Sequence, residues 1–541
     1  MGKTPKPTGT DPVFDAVVVG AGFSGMFALH KLRGLDLKVL VIEAGGSVGG
    51  TWYWNRYPGA RCDVESLEYS YSFSEELQQE WRWPEKYSTQ PEILRYAEHV
   101  AQRFDLKRDI RFNTRVLSAS YDEDSGLWSL TTDKGDFITA RYCVMASGNL
   151  SLPRVPDFKG LADFKGKWYH TGKWPHDSVD FTGMRVGVIG TGSSGMQAIP
   201  VIAKQATHLT VFQRTANYSV PAINGPISDE EDRERKAIYP QWRARQLRSP
   251  FGMAGHPPPP KGALDDNPEE RQRNYETRWG YGGNIAFLCA YNDLLRNKES
   301  NETASEFVRQ KIRAIVKDPA VAERLSPRDH FIGTKRLVVD SGYYDTFNRD
   351  NVSLVDVRSS PIECITATGI RTRDARYGLD AIVFATGYDA MTGALFGIDI
   401  RGKGKVLLSD KWKNGPRTYL GLMTAGFPNM FFITGPGSPS VKTNMVCHIE
   451  QHVHWIGDCI GWMRSAGRTR IDADCEREDK WVEHVNEVAN STLYPLASSW
   501  YTGANIPGKP RIFMPYVGGL DKYKAICDAV AQDEYRAFGL S

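Results

Sequence analysis

The stretch Phe14-Asp-Ala-Val-Val-Val-Gly20-Ala-Gly22-Phe-Ser24-Gly25, followed by a helical pattern through Leu32, decides the fold. A short apolar run leads into G-x-G-x-x-G, and a second run, Lys38 to Ile42, ends at Glu43, 23 positions after Gly20. Strand, glycine turn, helix, strand and terminal acid in that order form the dinucleotide-binding pattern. Gly20 makes the tight turn, Gly22 lets backbone approach a pyrophosphate, and Gly25 lets the helix pack on the strand. Glu43 is placed to accept hydrogen bonds from a ribose diol.

The unit recurs. Arg185 to Ile189 is apolar and leads into Gly190-Thr191-Gly192-Ser193-Ser194-Gly195, a helix to about Gln205 and a strand from Leu209 to Gln213. Arg214 stands where an acid would select NAD, and a guanidinium there suits a 2′-phosphate. Two such units in one chain imply two nucleotides meeting face to face. An acid at the first and an arginine at the second predict FAD, then NADPH. Apolar runs ending in small residues read as returning strands: Tyr142 to Ala146 before Ser147-Gly148, and Asp380 to Ala385 before Thr386-Gly387. Met430 to Thr434, leading into Gly435-Pro-Gly437, reads as the closing strand of the flavin domain. The helix after it is expected to bury Met445, Ile449, Val453, Ile456 and Ile460. Its N-terminus would present a positive dipole to the flavin's pyrimidine end.

The fold class is therefore α/β, with two dinucleotide-binding, Rossmann-like domains, the NADP domain nested inside the FAD domain, plus a helical insertion. The expected division assigns residues 1–149 and 384–541 to the FAD domain, and 150–221 and 332–383 to the NADP domain. The insertion is 222–331, charged and helix-prone, interrupted by His256-Pro-Pro-Pro-Pro260 and Gly282-Gly283.

Composition bounds what else the chain could be. At 541 residues it exceeds a single core. Its 67 basic and 64 acidic residues leave +3, which gives no footprint for nucleic acid or an anionic membrane. Met1 to Pro12 is polar, without a signal-peptide core, and the run Phe14 to Gly22 is far short of a bilayer span. The eight cysteines contain no C-x-x-C pair, so neither a zinc site nor a redox dithiol of that spacing is expected, and no metal is expected. The reading is a cytoplasmic enzyme with reduced thiols, a monomer or a weak homo-oligomer.

Four further clusters carry the chemistry. Gly49-Gly-Thr51-Trp52-Tyr53-Trp54-Asn-Arg-Tyr57-Pro58-Gly59-Ala-Arg-Cys-Asp63 follows the first fingerprint, and Phe164-Lys-Gly166-Lys-Trp-Tyr-His170-Thr-Gly-Lys-Trp174-Pro175 precedes the second. Gly333-Thr-Lys335-Arg336 opens the return to the nucleotide domain. Trp500-Tyr501-Thr-Gly503-Ala-Asn505-Ile-Pro507-Gly508-Lys-Pro510 lies near the C-terminus. With these, the chain from Phe14 to its end resembles the type I Baeyer–Villiger monooxygenases, and within them the phenylacetone and steroid monooxygenase group.

That resemblance implies FAD reduction by NADPH, capture of dioxygen as a C4a-peroxyflavin, and oxygenation of a ketone to an ester or lactone, with sulfide oxidation as a side activity. It implies Arg336 as the catalytic arginine and Asp63 as the carboxylate that orients it. A guanidinium keeps its charge at neutral pH and would stabilise a negative oxygen in the manner of an oxyanion hole. Lys335, with Arg214 and Thr215, would hold the 2′-phosphate. Trp52, Tyr69, Val116 and Met445 match flavin-lining positions, and Thr51, Tyr53 and Trp54 share the signature loop. Trp500 matches a tryptophan on a mobile loop, about 490–510, that folds over NADP. Ser440, Val441 and Lys442 would line the ketone pocket, Lys442 standing where an apolar residue is expected. His170 and Trp174 are expected to couple the domains rather than carry protons.

Three rivals differ at stated residues. Flavin monooxygenases of the N-hydroxylating or S- and N-oxygenating kind, with two nucleotide folds, lack Trp174-Pro175 and leave Arg336 and Asp63 unexplained. A pyridine-nucleotide disulfide reductase needs C-x-x-x-x-C after the first helix, where Cys62 stands alone. A non-enzymatic redox sensor would keep the fold without the catalytic charges.

Overall fold

The computed structural model describes residues 13–541; Met1 to Pro12, and the reading made of them, lie outside the described residues. Two sheets organise the chain. The first runs in the order Asp399–Arg401, Val116–Asp122, Leu127–Thr132, Phe137–Met145, Val13–Val19, Val39–Ile42 and Ile110–Arg111, and Met430–Phe432 also pairs with Phe137–Met145. Its strands come from both sides of the second sheet in the chain, the nesting expected. The second sheet is wholly parallel, in the order Val352–Asp356, His208–Gln213, Arg185–Ile189, Ala381–Phe384 and Lys167–His170.

Valine-rich runs make the central strands because both faces are covered; Val39–Ile42 and Ala381–Phe384 are buried at every position. In the first sheet Val19 is level with Ile42 and Met145, and Met145 with Phe432. In the second, Phe212, Ile189, Phe384 and His170 are level. Each sheet thus presents a row of carboxyl ends, the place where an open α/β sheet binds its ligand.

Helix Phe23–Arg33 is buried along most of its length and packs against Met445–Ser465. On the latter, Val446, Ile449, Val453, Ile456, Ile460 and Met463 form the buried stripe, at alternating steps of three and four. Met445 is only half-buried, so the stripe begins one residue later than expected. The reason is position: Met445 follows the N-cap Asn444 and packs between two core clusters.

The insertion is helical, with Asp229–Ala237, Tyr239–Leu247, Pro268–Tyr281, Asn284–Leu288, Lys298–Ile315 and Pro319–Leu325. Tyr275, Phe287, Phe307 and Ile312 share one core with Val186, Val188 and Met196, so it packs into the second nucleotide unit. Two antiparallel features were absent from the sequence reading: the meander formed by Val116–Asp122, Leu127–Thr132 and Phe137–Met145, and the small sheet Ile362–Thr366, Gly369–Thr372 and Arg376–Gly378. Among the described residues no helix is long and apolar enough to cross a membrane, and no cluster of His, Cys, Asp and Glu could hold a metal ion.

Candidate active site

The two glycine turns sit at the carboxyl ends of Val13–Val19 and Arg185–Ile189 and are built alike. Gly20 and Gly190 have φ of +107° and +108°, the left-handed region that a side chain avoids. A Cβ on Gly25 would lie 1.8 Å from the Gly20 carbonyl oxygen, and one on Gly195 2.2 Å from that of Gly190. These glycines let helix meet strand. Gly192 is different: a Cβ there would meet nothing within 4 Å. A backbone open on that side, at a helix N-terminus, is a cradle for a pyrophosphate. Gly22 faces only the backbone of Gly50, with 3.4 Å to its Cα. Both turns fit the dinucleotides expected of them. Ser24 is buried, and Ser193 and Ser194 are half-buried in the first turn of the second helix.

Glu43 is buried, and each carboxylate oxygen takes a backbone N–H, from Ala21 at 2.7 Å and from Gly45 at 2.6 Å. Burial pushes its carboxyl up while those amides hold it down. Each oxygen keeps a lone pair for a ribose hydroxyl.

At the matching corner of the second unit, Arg214 is exposed and Thr215 accepts a hydrogen bond on its backbone oxygen from Thr191 Oγ1 at 3.0 Å. Burial, with the charges of Arg214 and Arg358, pushes the half-buried Lys335 ammonium down, against the pull of Asp329. Arg358 was missed by the sequence reading. It donates to Thr215 Oγ1 at 3.2 Å and to Asp329 at 2.6 Å. No signal in the sequence marked it: Val352–Asp356 pairs with His208–Gln213, Asp356 opposite Gln213, and that pairing brings Arg358 to Thr215. Three cations against one carboxylate fit a phosphate.

Arg336 and Asp63 form a charged pair. Arg336 Nε and Nη2 donate to the two oxygens of Asp63 at 2.8 and 2.7 Å, and Nη1 donates to the Val441 carbonyl at 2.8 Å. A guanidinium has five N–H bonds; three are engaged, so two remain. Burial pulls the Arg336 pKa down, but Asp63 overrides it and holds it far above the working range. The cation is permanent. Asp63 is positioned by its loop: Gln197, on helix Ser193–Gln205, takes the Tyr57 hydroxyl at 2.8 Å and donates to the Arg61 carbonyl at 3.1 Å. A residue of the second nucleotide unit therefore holds the signature loop of the first.

Trp52 is buried and its indole donates to Tyr69 at 3.2 Å, the rings meeting edge to face. Thr51, Tyr53 and Trp54 share its short helix, Thr51 exposed. Val116 stands apart from this group, its side chain packed in the core with Val17, Leu40 and Leu130. Ser440 is fully buried and its hydroxyl accepts from Asn149 Nδ2 at 2.8 Å, spent inward. Lys442 stands differently, its Nζ 4.2 Å from the ring centre of Tyr494 and 4.4 Å from that of Tyr501.

His170 joins the two crossings between the sheets. Gly172 N–H donates to its Nδ1 at 3.0 Å, so Nε2 carries the proton and donates to the Arg154 carbonyl at 3.1 Å; Thr386 Oγ1 is 3.3 Å from Nε2. Burial holds the imidazole down to about 4. Trp174 packs on Tyr169 and Phe181. The segment carrying Trp500 is docked on the same crossings: Asn505 donates to the Tyr388 carbonyl at 2.7 Å, its own carbonyl accepts from Arg154, and Lys509 pairs with Asp389 at 2.5 Å.

Residues 17–226 match the pyridine nucleotide-disulphide oxidoreductase family. All eight cysteines are free, so what that match shares is the nucleotide-binding architecture and not a redox disulfide. The chain is 45% identical over 98% of its length, and 96% of the relative's, to a Baeyer-Villiger monooxygenase of Pseudooceanicola batsensis. It superposes on an oxidized steroid monooxygenase bound to NADP with TM-score 0.94 and 53% identity, covering 98% of this chain and 99% of that one. A closed crystal structure of cyclohexanone monooxygenase gives TM-score 0.96 and 43% identity, with 98% and 100% covered.

Proposed function

Since this chain belongs to the Baeyer–Villiger monooxygenases, we propose that Arg336 and Asp63 are its catalytic pair and that the two nucleotide corners meet on them. The enzyme is an FAD- and NADPH-dependent monooxygenase that converts a ketone to an ester or lactone. Overall, ketone, dioxygen, NADPH and a proton give ester, NADP and water. Bound FAD supplies the oxygen activation; the protein's part is position and charge.

The observation that carries this reading is the fixed guanidinium with two free N–H bonds. Asp63 orients it through two parallel hydrogen bonds, which a lysine could not form. The free N–H bonds supply fixed donors for negative charge that grows on oxygen during the reaction. A preorganised donor of this kind is typically worth about 10² to 10³ in rate. Gly20, Gly22, Gly25 and Glu43 support FAD binding, with Trp52, Tyr69 and Met445 along the flavin. Gly190, Gly192, Gly195, Arg214, Thr215, Lys335 and Arg358 support NADPH binding, and Trp500 closes over it. Val441 and Lys442 border the ketone. We place the domain boundaries near residues 149, 221, 331 and 383; sheet membership supports the first, and moves the last to just past Phe384, since Ala381–Phe384 lies wholly in the second sheet.

A ketone panel tests the reading, with NADPH consumption and product mass followed together. Product heavier by one oxygen, formed far faster with NADPH than with NADH, is the expected result. NADPH turnover with no oxygenated product from any ketone would count against it.

A further inference from the structure

Lys442 is a basic side chain without a counter-ion among the described residues. It lies on the short turn Ser440–Lys442, next to the carbonyl of Val441 that anchors Arg336. Among the described residues it has neither an ion pair nor a side-chain hydrogen bond. Its ammonium faces the rings of Tyr494 and Tyr501, both buried. The Tyr501 hydroxyl is also buried without a hydrogen-bond partner. Two basic groups, Arg336 and Lys442, share the single carboxylate of Asp63, which Arg336 already takes in both oxygens.

Tyrosine faces attract an ammonium but do not neutralise it. Burial, and then the charge of Arg336, push the Lys442 ammonium down. An anion beside it would oppose both effects by favouring the charged ammonium. The groups proposed above for the coenzyme's phosphates lie elsewhere, at Gly192 and at the corner of Arg214, Lys335 and Arg358. The unmatched charge lies instead on the Arg336 side.

We propose that Lys442 selects ketones that carry a carboxylate, so that the enzyme's preferred substrates are keto acids bound with the carbonyl toward Arg336 and the carboxylate toward Lys442. This rests on the ketone-oxygenating reading above. A charged hydrogen bond formed only by the acid would favour it by about 10- to 100-fold in kcat/KM.

The test compares para-carboxylated phenylacetone with its para-carboxamide, which keeps the shape and removes the charge. In the native holoenzyme the acid should be preferred by that factor. Lys442→Met should abolish the preference, and Lys442→Arg should keep it. Ester formed from both ketones with no preference in the native enzyme, or an equal preference in Lys442→Met, would overturn the assignment and leave the oxygenase reading intact. A rise in KM for NADPH in Lys442→Met, with the ketone ratio unchanged, would assign the lysine to the coenzyme and also overturn it. Should Lys442→Met fail to retain FAD, inhibition of the native enzyme by phenylacetate and phenylacetamide decides: tighter inhibition by the acid supports the proposal, and equal inhibition overturns it. Oxygen in no product of either ketone, nor of the neutral panel, would overturn both readings.

Discussion

Arg336 and Asp63, 273 residues apart in the chain, meet through two parallel hydrogen bonds of 2.8 and 2.7 Å, and the Val441 carbonyl takes a third N–H. Neither the strand of Val338–Asp340 nor the loop of Asp63 could hold the guanidinium alone. The pair is a product of the two nucleotide units closing on each other, with Gln197 gripping the loop from across the boundary.

Arg336→Ala should lower ester formation by about 10² to 10³, while anaerobic reduction of FAD by NADPH changes little. Arg336→Lys should fall close to it, since one ammonium cannot make the side-on pair with Asp63. Stopped-flow reduction and product yield separate the two steps. Parallel losses in both would mean that the arginine serves coenzyme binding instead.

Asp63→Ala removes the orienting carboxylate and should cost nearly as much as Arg336→Ala. The double variant should be little worse than either single one, because the residues act as a unit. Additive losses in kcat/KM would show two independent roles.

Arg358→Ala should raise KM for NADPH by about tenfold, the size of one charge-assisted hydrogen bond, and leave KM for NADH unmoved. The same is expected of Arg214→Ala and Lys335→Ala. An equal effect on both coenzymes would place Arg358 in the fold, through Asp329 and Thr215, rather than at the phosphate.

Stability should decline on acidification below neutral. Burial holds His170 down to about 4 and His448 down to about 3, from an ordinary 6.5. The unfolded chain takes up these protons as pH falls through 6.5, and the folded chain does not. Their contribution is therefore complete above 6.5 and is lost progressively toward 4, about 3 kcal/mol from His170 alone at the lower end. Chemical denaturation at a series of pH values measures it, and His170→Gln should flatten the slope. An unchanged slope would mean that His170 is protonated in the fold.

Trp500→Ala and Lys509→Met should each raise hydrogen peroxide release per NADPH consumed several-fold, since Lys509 pins the segment to Asp389 and Trp500 closes it. Peroxide assay beside NADPH depletion reads the coupling directly. Full coupling in both variants would make this segment a static surface turn.

Much of the fold was legible. Arg185–Ile189 was delimited to the residue, and the helix Ser193–Gln205 ended where its pattern did. Such elements are set by local periodicity and by glycines whose roles are backbone geometry. The antiparallel meander and the small sheet around Gly369 were not legible, because hairpin pairing in mixed-polarity strands leaves a weaker signal than a buried parallel run. Met445 was misplaced by one step because a cap residue, and not the apolar spacing, sets where the stripe begins.

The sequence by itself determined the two nucleotide units, their order and the family, since these rest on short motifs whose physics is local. Only the tertiary structure decided which side chains share a site. Arg358 reaches Thr215 through a parallel strand pairing, His170 ties two crossings through carbonyls that any residue could offer, and Lys442 lies between two tyrosines more than 50 residues away in sequence with no acid to meet it. Such meetings depend on how distant segments pack, and no spacing along the chain encodes them.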